Sequence, residues 1–202
     1  MDYKKYWIQD NFNNIKPPNH GEYPEGWNPS EFVSEILKEI NYDSILDFGC
    51  GYGRLCSCFS SEKYIGIDLN PYAIKKAQEL HSKYTFQEID IDNNYPRVDL
   101  VFGYTVFLHL DDAILKRILN RLHSSCQKYL IIGEILGREW KRPGLPPVFN
   151  RDLNDYIKLL EEYGFSFVKE NKRPYKRYTD NPRFKGKNTN FSLLIFKKST
   201  HI

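Results

Sequence analysis

The chain predicts an α/β domain with a doubly wound, mainly parallel sheet, and three observations carry that expectation. Apolar runs at 45–48, 64–67, 99–104 and 129–134 alternate with stretches of helical period, which makes neighbouring strands parallel and puts helices on both faces. The first run breaks into Asp47-Phe48-Gly49-Cys50-Gly51-Tyr52-Gly53, an acid and alternate glycines that read as a strand turning tightly into a helix. Near the end the rhythm stops. Phe165 to Lys169 and Phe191 to Phe196 read as two strands without an intervening helix, so they should pair antiparallel at one edge.

In order along the chain, Met1 to Asn28 is an aromatic and polar leader. Tyr3, Tyr6, Trp7 and Phe12 fall at near-helical spacing before the loop Pro17-Pro18-Asn19-His20-Gly21, a pattern expected of a helix plus a cover segment. Ser30 is then placed to cap a helix whose apolar stripe is Phe32, Val33, Ile36, Leu37 and Ile40. The strand at Ile45 follows, then a second at Tyr64-Ile65-Gly66-Ile67-Asp68-Leu69-Asn70. Asn70-Pro71 opens a helix with proline in its first turn. A third strand ends in Phe86 to Ile91 and a fourth runs from Asp99 to Tyr104. Asp111 or Asp112 starts a helix burying Ile114, Leu115, Ile118, Leu119 and Leu122, and a fifth strand covers Tyr129 to Glu134. A last helix spans about 151 to 163, with Gly164 placed to end it.

At 202 residues the chain is expected to be a single domain with one substantial core. Within it, 1–28 reads as the cover segment, 30–136 as the ligand-binding core, and 137–150 and 170–190 as loops on the acceptor side. No apolar run approaches the roughly 20 residues that span a bilayer, and the amino terminus lacks a signal-peptide core, so the expected location is cytoplasmic, without a membrane partner. Cys50, Cys56, Cys58 and Cys126 lack paired metal-ligand spacing, which points to buried reduced thiols.

The glycine turn carries the chemistry. Pyrophosphate-binding turns favour G-x-G-x-x-G, which leaves room for an anion on a helix dipole, whereas here Asp47 precedes glycines spaced G-x-G-x-G. A carboxylate there would repel pyrophosphate but suits a cationic ligand. This turn, with Asp68 ending the second strand, resembles the motifs of the class I S-adenosylmethionine-dependent methyltransferases over about residues 30 to 136. The resemblance implies a Rossmann-like seven-stranded sheet of order 3-2-1-4-5-7-6 with an antiparallel last strand, and S-adenosylmethionine as cofactor with S-adenosylhomocysteine as product. It implies that Asp47, Gly49, Cys50, Gly51 and Gly53 contact the cofactor, with Asp68 and Leu69 at its ribose. Asp90 and Ile91 would lie at the adenine, although Asp92 is close enough to take the role of Asp90. Tyr104, in Gly103-Tyr104-Thr105, would lie beside the methionine part.

Catalysis requires alignment and, for a hydroxyl acceptor, removal of a proton. His109, in Phe107-Leu108-His109-Leu110-Asp111-Asp112, is the first candidate base, and Glu134 at the end of the fifth strand is a second base or an acceptor anchor. Arg138, Trp140 and Arg142 follow in a stiff loop suited to a ring and an anionic group, with His20 and Trp27 of the leader as cover. Asp111, Asp112 and Glu134 are the one acid set comparable to a divalent-cation site; the doublet reads more simply as a helix cap, so no metal is expected.

The segment 170–190 concentrates Lys172, Arg173, Lys176, Arg177, Arg183, Lys185 and Lys187 among Tyr175, Tyr178 and Phe184, in a chain of net charge only +3. Such asymmetry suits an anionic partner, and Tyr175 and Arg177 are its candidate acceptor contacts. The leading expectation is therefore O-methylation of a small-molecule hydroxyl, with a sugar or nucleotide sugar preferred and a place in glycan biosynthesis. The alternatives are an RNA or protein methyltransferase using 170–190, and a non-catalytic cofactor-binding relative. Oligomeric state is not legible.

Overall fold

The computed structural model describes residues 7–8, 28–138, 147–174 and 190–199. Among these residues, seven strands form one sheet of order β3-β2-β1-β4-β5-β7-β6. They are β1 Ile45–Phe48, β2 Tyr64–Asp68, β3 Thr85–Glu88, β4 Val98–Tyr104, β5 Cys126–Leu136, β6 Phe165–Pro174 and β7 Asn190–Lys198. β3 to β5 pair in parallel through β2, β1 and β4, while β7 runs antiparallel to both β5 and β6. The last strand in the chain is thus inserted inside the sheet, as the resemblance implied.

Four helices lying wholly within the described residues cover the two faces: α1 Pro29–Leu37, α2 Pro71–Leu80, α3 Asp112–Ser125 and α4 Leu153–Glu161. Strand side chains alternate between two cores. Ile45, Phe102, Ile131, Leu193 and Ile195 pack with Phe32, Val33 and Ile36 of α1 and Ile74 and Ala77 of α2. Leu46, Val101, Leu130, Ile132, Leu194 and Phe196 pack with Leu115, Ile118, Leu119 and Leu122 of α3 and Tyr156 and Leu160 of α4. No helix among the described residues is long and apolar enough to cross a membrane.

Several boundaries differ from the sequence expectation. Asn28, not Ser30, caps α1: its side chain accepts from the Ser30 and Glu31 amides, which places Pro29 at the first helical position, where its missing N–H costs nothing. No α-helix follows the glycine turn. Successive i to i−3 bonds, Gly53 N to Cys50 O, Cys56 N to Gly53 O and Phe59 N to Cys56 O, carry it through turns into the short 3-10 segment Cys56–Cys58. Cys, Ser and Phe are weak helix formers, and the run to β2 is too short to offset that. β3 ends at Glu88, leaving Asp90 and Ile91 in the turn beyond it. β6 extends to Pro174 and β7 begins at Asn190, so both ends of the expected 170–190 loop are sheet.

Candidate active site

Asp47, Asp68 and Asp90 lie at or just beyond the carboxyl ends of β1, β2 and β3, which are consecutive neighbours in the sheet. Open α/β sheets bind ligands at that edge. Asp47 is 4% exposed, and its Oδ2 accepts from the Tyr64 hydroxyl at 2.7 Å. Burial pushes its carboxyl up to about 7, against the lowering pull of that hydrogen bond and of Arg54. Asp68 Oδ2 accepts from the Gly51 amide and Oδ1 from the Asn70 amide, each at 2.9 Å, and burial raises this carboxyl too. Asp90 closes its own turn, taking the Asn93 amide on its carbonyl and the Asp92 amide on Oδ1 at 3.4 Å. Asp92, the alternative, is ion-paired to Arg117 of α3.

The glycine turn is spent on itself rather than opened to an anion. Gly49, Gly51 and Gly53 have φ of 71°, 54° and 73°, a region that β-carbon-bearing residues avoid. The amides of Gly49 and Cys50 bond Ile67 O, and that of Gly51 bonds Asp68. With these amides bonded within the chain and no α-helix following, the turn does not present the amides of a helix start to a ligand, as the strand-to-helix reading of the glycines would have had it. What remains at the edge is acid, and two raised carboxyls with little cationic compensation are chemically complementary to an ammonium or sulfonium. The cofactor that the motifs implied fits these residues on that ground. Cys50 is buried, and its thiol is held well above its ordinary range by burial. Leu69 lies beside Asp68 at the end of β2, and Tyr104 at the end of β4 is buried under the Arg54 guanidinium, 4.8 Å from the ring centroid.

Beyond β4 the chain makes a turn that sequence reasoning had not resolved. Thr105 adopts φ 55°, unusual for a β-branched residue, with its amide bonded to Gly133 O at 2.7 Å and its hydroxyl accepting from Arg54 at 3.3 Å. The 3-10 turn Phe107–His109 follows. His109 is half-buried; its Nδ1 lies 2.8 Å from Pro147 O, and its ring is 5.3 Å from that of Trp7. Trp7 is tied to the cofactor side as well, since its carbonyl accepts from Asn70 Nδ2 at 2.7 Å.

Glu134 is not placed at the mouth. It is 0% exposed, and its Oε1 accepts from the Phe107 and Leu108 amides at 2.8 and 3.3 Å, so an acceptor does not reach it in this arrangement. Arg138 pairs with Asp152 and Asp155 at the start of α4. Asp111 caps α3 through the Ile114 amide, and among the described residues no group of three His, Cys, Asp or Glu side chains is arranged to hold a metal ion. His20, Trp27, Trp140, Arg142, Tyr175 and Arg177 lie outside the described residues. Residues that sequence reasoning passed over are Trp7, Arg54, Asn70 and Arg151. Asn70 and Arg151 had been read only as helix starts, and Arg54 had one signal, its adjacency to Gly53.

A family model described as a methyltransferase domain matches residues 45–128. Over 63 residues the chain is 33% identical to a Methanocaldococcus jannaschii protein provisionally named a protein N5-glutamine methyltransferase. That match covers 28% of this chain and 32% of the other, so the chain spans about a third of the curated relative's length. Among solved structures, the magnesium protoporphyrin IX methyltransferase of Synechocystis PCC 6803, with bound S-adenosylhomocysteine, superposes with TM-score 0.64 at 17% identity, covering 84% of this chain and 83% of that one. The cyclase SpnF superposes with TM-score 0.65 at 14% identity, covering 85% and 80%. At such identities the likeness speaks for the fold.

Proposed function

We propose that the chain is a class I S-adenosylmethionine-dependent methyltransferase, a reading supported by the methyltransferase-domain match over residues 45–128 and by the fold, and that it methylates a hydroxyl of a small-molecule acceptor, with His109 as the base. The observation that carries this reading is the order of groups along one sheet edge: Asp90, Asp68 and Asp47 at or just beyond the carboxyl ends of β3, β2 and β1, then His109 beyond β4. Asp68 and Asp90 are the candidate partners of the ribose and adenine, and Asp47 of the cationic end. S-adenosylmethionine, when bound, supplies a methyl group already activated on a sulfonium. The chain is left with two tasks: holding the acceptor oxygen in line, and taking its proton at His109.

A carbohydrate is the candidate acceptor on the composition of the two acceptor-side loops alone. Arg173 is ion-paired to Glu35 and stacked over Phe32 at 4.7 Å, so this part of the basic segment is committed to α1. Protein-glutamine methylation, suggested by the archaeal relative's name, is disfavoured because Gly103-Tyr104-Thr105-Val106 stands where such enzymes carry Asn or Asp, two prolines and an aromatic. Reduced cysteines suit a cytoplasmic setting.

The test is methyl transfer from labelled S-adenosylmethionine to separate pools of sugars and nucleotide sugars, small phenols, RNA and glutamine-containing peptides. Label in a hydroxyl pool supports the proposal, whereas label confined to RNA or peptide replaces it. With the acceptor in hand, His109→Ala should slow turnover about 10²- to 10⁴-fold while sparing cofactor affinity. Unchanged turnover would leave alignment as the mechanism.

A further inference from the structure

The turn that presents His109 is held from behind by two buried side chains, the Glu134 carboxyl and the Arg151 guanidinium. Glu134 Oε1 takes the amides of Phe107 and Leu108. Arg151, 7% exposed, donates to the carbonyls of Phe107 at 3.1 Å and Leu110 at 2.8 Å, and its guanidinium also pairs with Asp112. The segment that ends in Arg151 supplies two more contacts: Phe149 N bonds Leu108 O at 2.8 Å, and Pro147 O faces His109 Nδ1. Asn150 Nδ2 and the Arg151 carbonyl bond the backbone of Gly137, closing the root of the loop between them.

A carbonyl oxygen can only accept. His109 Nδ1 must therefore carry the proton in this contact, which makes Nε2 the basic nitrogen of the neutral ring. We propose that Glu134 and Arg151 are positioning residues that hold the 107–110 turn against Pro147 O and so fix His109 in the tautomer that can accept a proton at Nε2. The inference rests on His109 as the acceptor-side base, and it assigns the return limb of the 137–150 loop a share in setting that base. Burial pushes the Glu134 carboxyl up to about 8, while Oε2 is buried without a hydrogen-bond partner among the described residues. A protonated carboxyl and a glutamine amide are then close equivalents here, each offering an oxygen to the two amides.

The test is ¹⁵N NMR of the histidine rings in the full chain, with the His109 signals assigned by His109→Gln. Wild type should show His109 as the Nδ1–H tautomer, and Glu134→Gln should keep it. Glu134→Ala should lose most of that signal to the Nε2–H form that a free imidazole prefers, with S-adenosylmethionine affinity within about threefold of wild type, since Asp47 and Asp68 are untouched. A wild-type Nε2–H ring, or an unchanged tautomer in Glu134→Ala, overturns the proposal. Should Glu134→Ala not fold, Arg151→Lys decides: the ammonium cannot span both carbonyls, so a retained tautomer counts against the proposal and a lost one for it. The spectra require no acceptor. Failure of His109 as a base would appear in His109→Ala turnover and leave them unaltered.

Discussion

A buried carboxylate with too little positive charge around it costs stability, and Asp47 is such a group. Its folded value of about 7 lies above the 3.8 of an unperturbed Asp, so between those values the folded state binds more protons than the unfolded chain. By linkage the group favours folding below that window and withdraws that support as pH rises through it. Asp47→Asn should therefore raise the melting temperature of the ligand-free protein at pH 7.5 by several degrees, while weakening S-adenosylmethionine by about 100-fold. In wild type the affinity should fall as pH drops below about 7, by at most about tenfold per unit. Calorimetry across pH 6 to 8 reads both effects, and a flat profile would remove Asp47 from the cationic end of the site. Asp68 differs in that both its oxygens also hold the backbone, at Gly51 and Asn70. Asp68→Asn turns one acceptor into a donor facing an N–H, so the glycine turn should loosen and cofactor affinity should drop about 10- to 100-fold; an unchanged affinity would overturn the ribose assignment.

Elements were legible where a single local signal decided them. The apolar runs gave the strands, and Asp152 with Asp155 closes a capping box at α4 within the helix that periodicity had placed. Gly164, at φ 76°, ends that helix as its position suggested. Boundaries failed where two local signals competed, as with Asn28 against Ser30 before Pro29. The glycine turn failed differently, because the expected helix rested on motif geometry while the residues after Gly53 are poor helix formers. The acids of the site were readable because each ends a strand or follows one closely. The contacts of Asn70 with Trp7 and of Arg151 with the 107–110 turn were not, since they join residues 63 and 41–44 positions apart without any pattern of composition. Asn70 is the element-scale test: its Oδ1 caps α2 through the Tyr72 and Ala73 amides while its Nδ2 holds Trp7 O. Asn70→Ala should cost about 1–2 kcal/mol of stability by denaturant titration, whereas Asn70→Asp keeps the cap and should cost less. Equal losses would show that the bond to Trp7, not the cap, dominates.

At the scale of the whole molecule, the carboxyl-terminal strand is the centre of half the sheet rather than an appendage. β7 is paired along β5 from Tyr129 to Leu136 on one side and along β6 on the other. Its Phe191, Leu193 and Ile195 enter one core while Leu194 and Phe196 enter the other, so the helices of both faces depend on it. Each such side chain contributes about 1.5–3 kcal/mol on burial, and a domain's net stability is about 5–15 kcal/mol. The cofactor-binding half therefore lacks the margin to stand without the strands that follow it, even though every candidate cofactor residue precedes β6. A chain ending at Glu162 keeps Asp47, Asp68, Asp90 and His109 but exposes the β5 edge with Leu130, Ile131 and Ile132, an apolar strand ready to pair with another copy. It should show no cooperative thermal transition, should aggregate at micromolar concentration, and should not bind S-adenosylmethionine. Restoring β6 and β7 as a separate peptide should recover binding to the extent that the peptide pairs. A truncated chain that melts cooperatively and binds the cofactor would show instead that the first five strands form an autonomous unit and that β7 merely completes its edge.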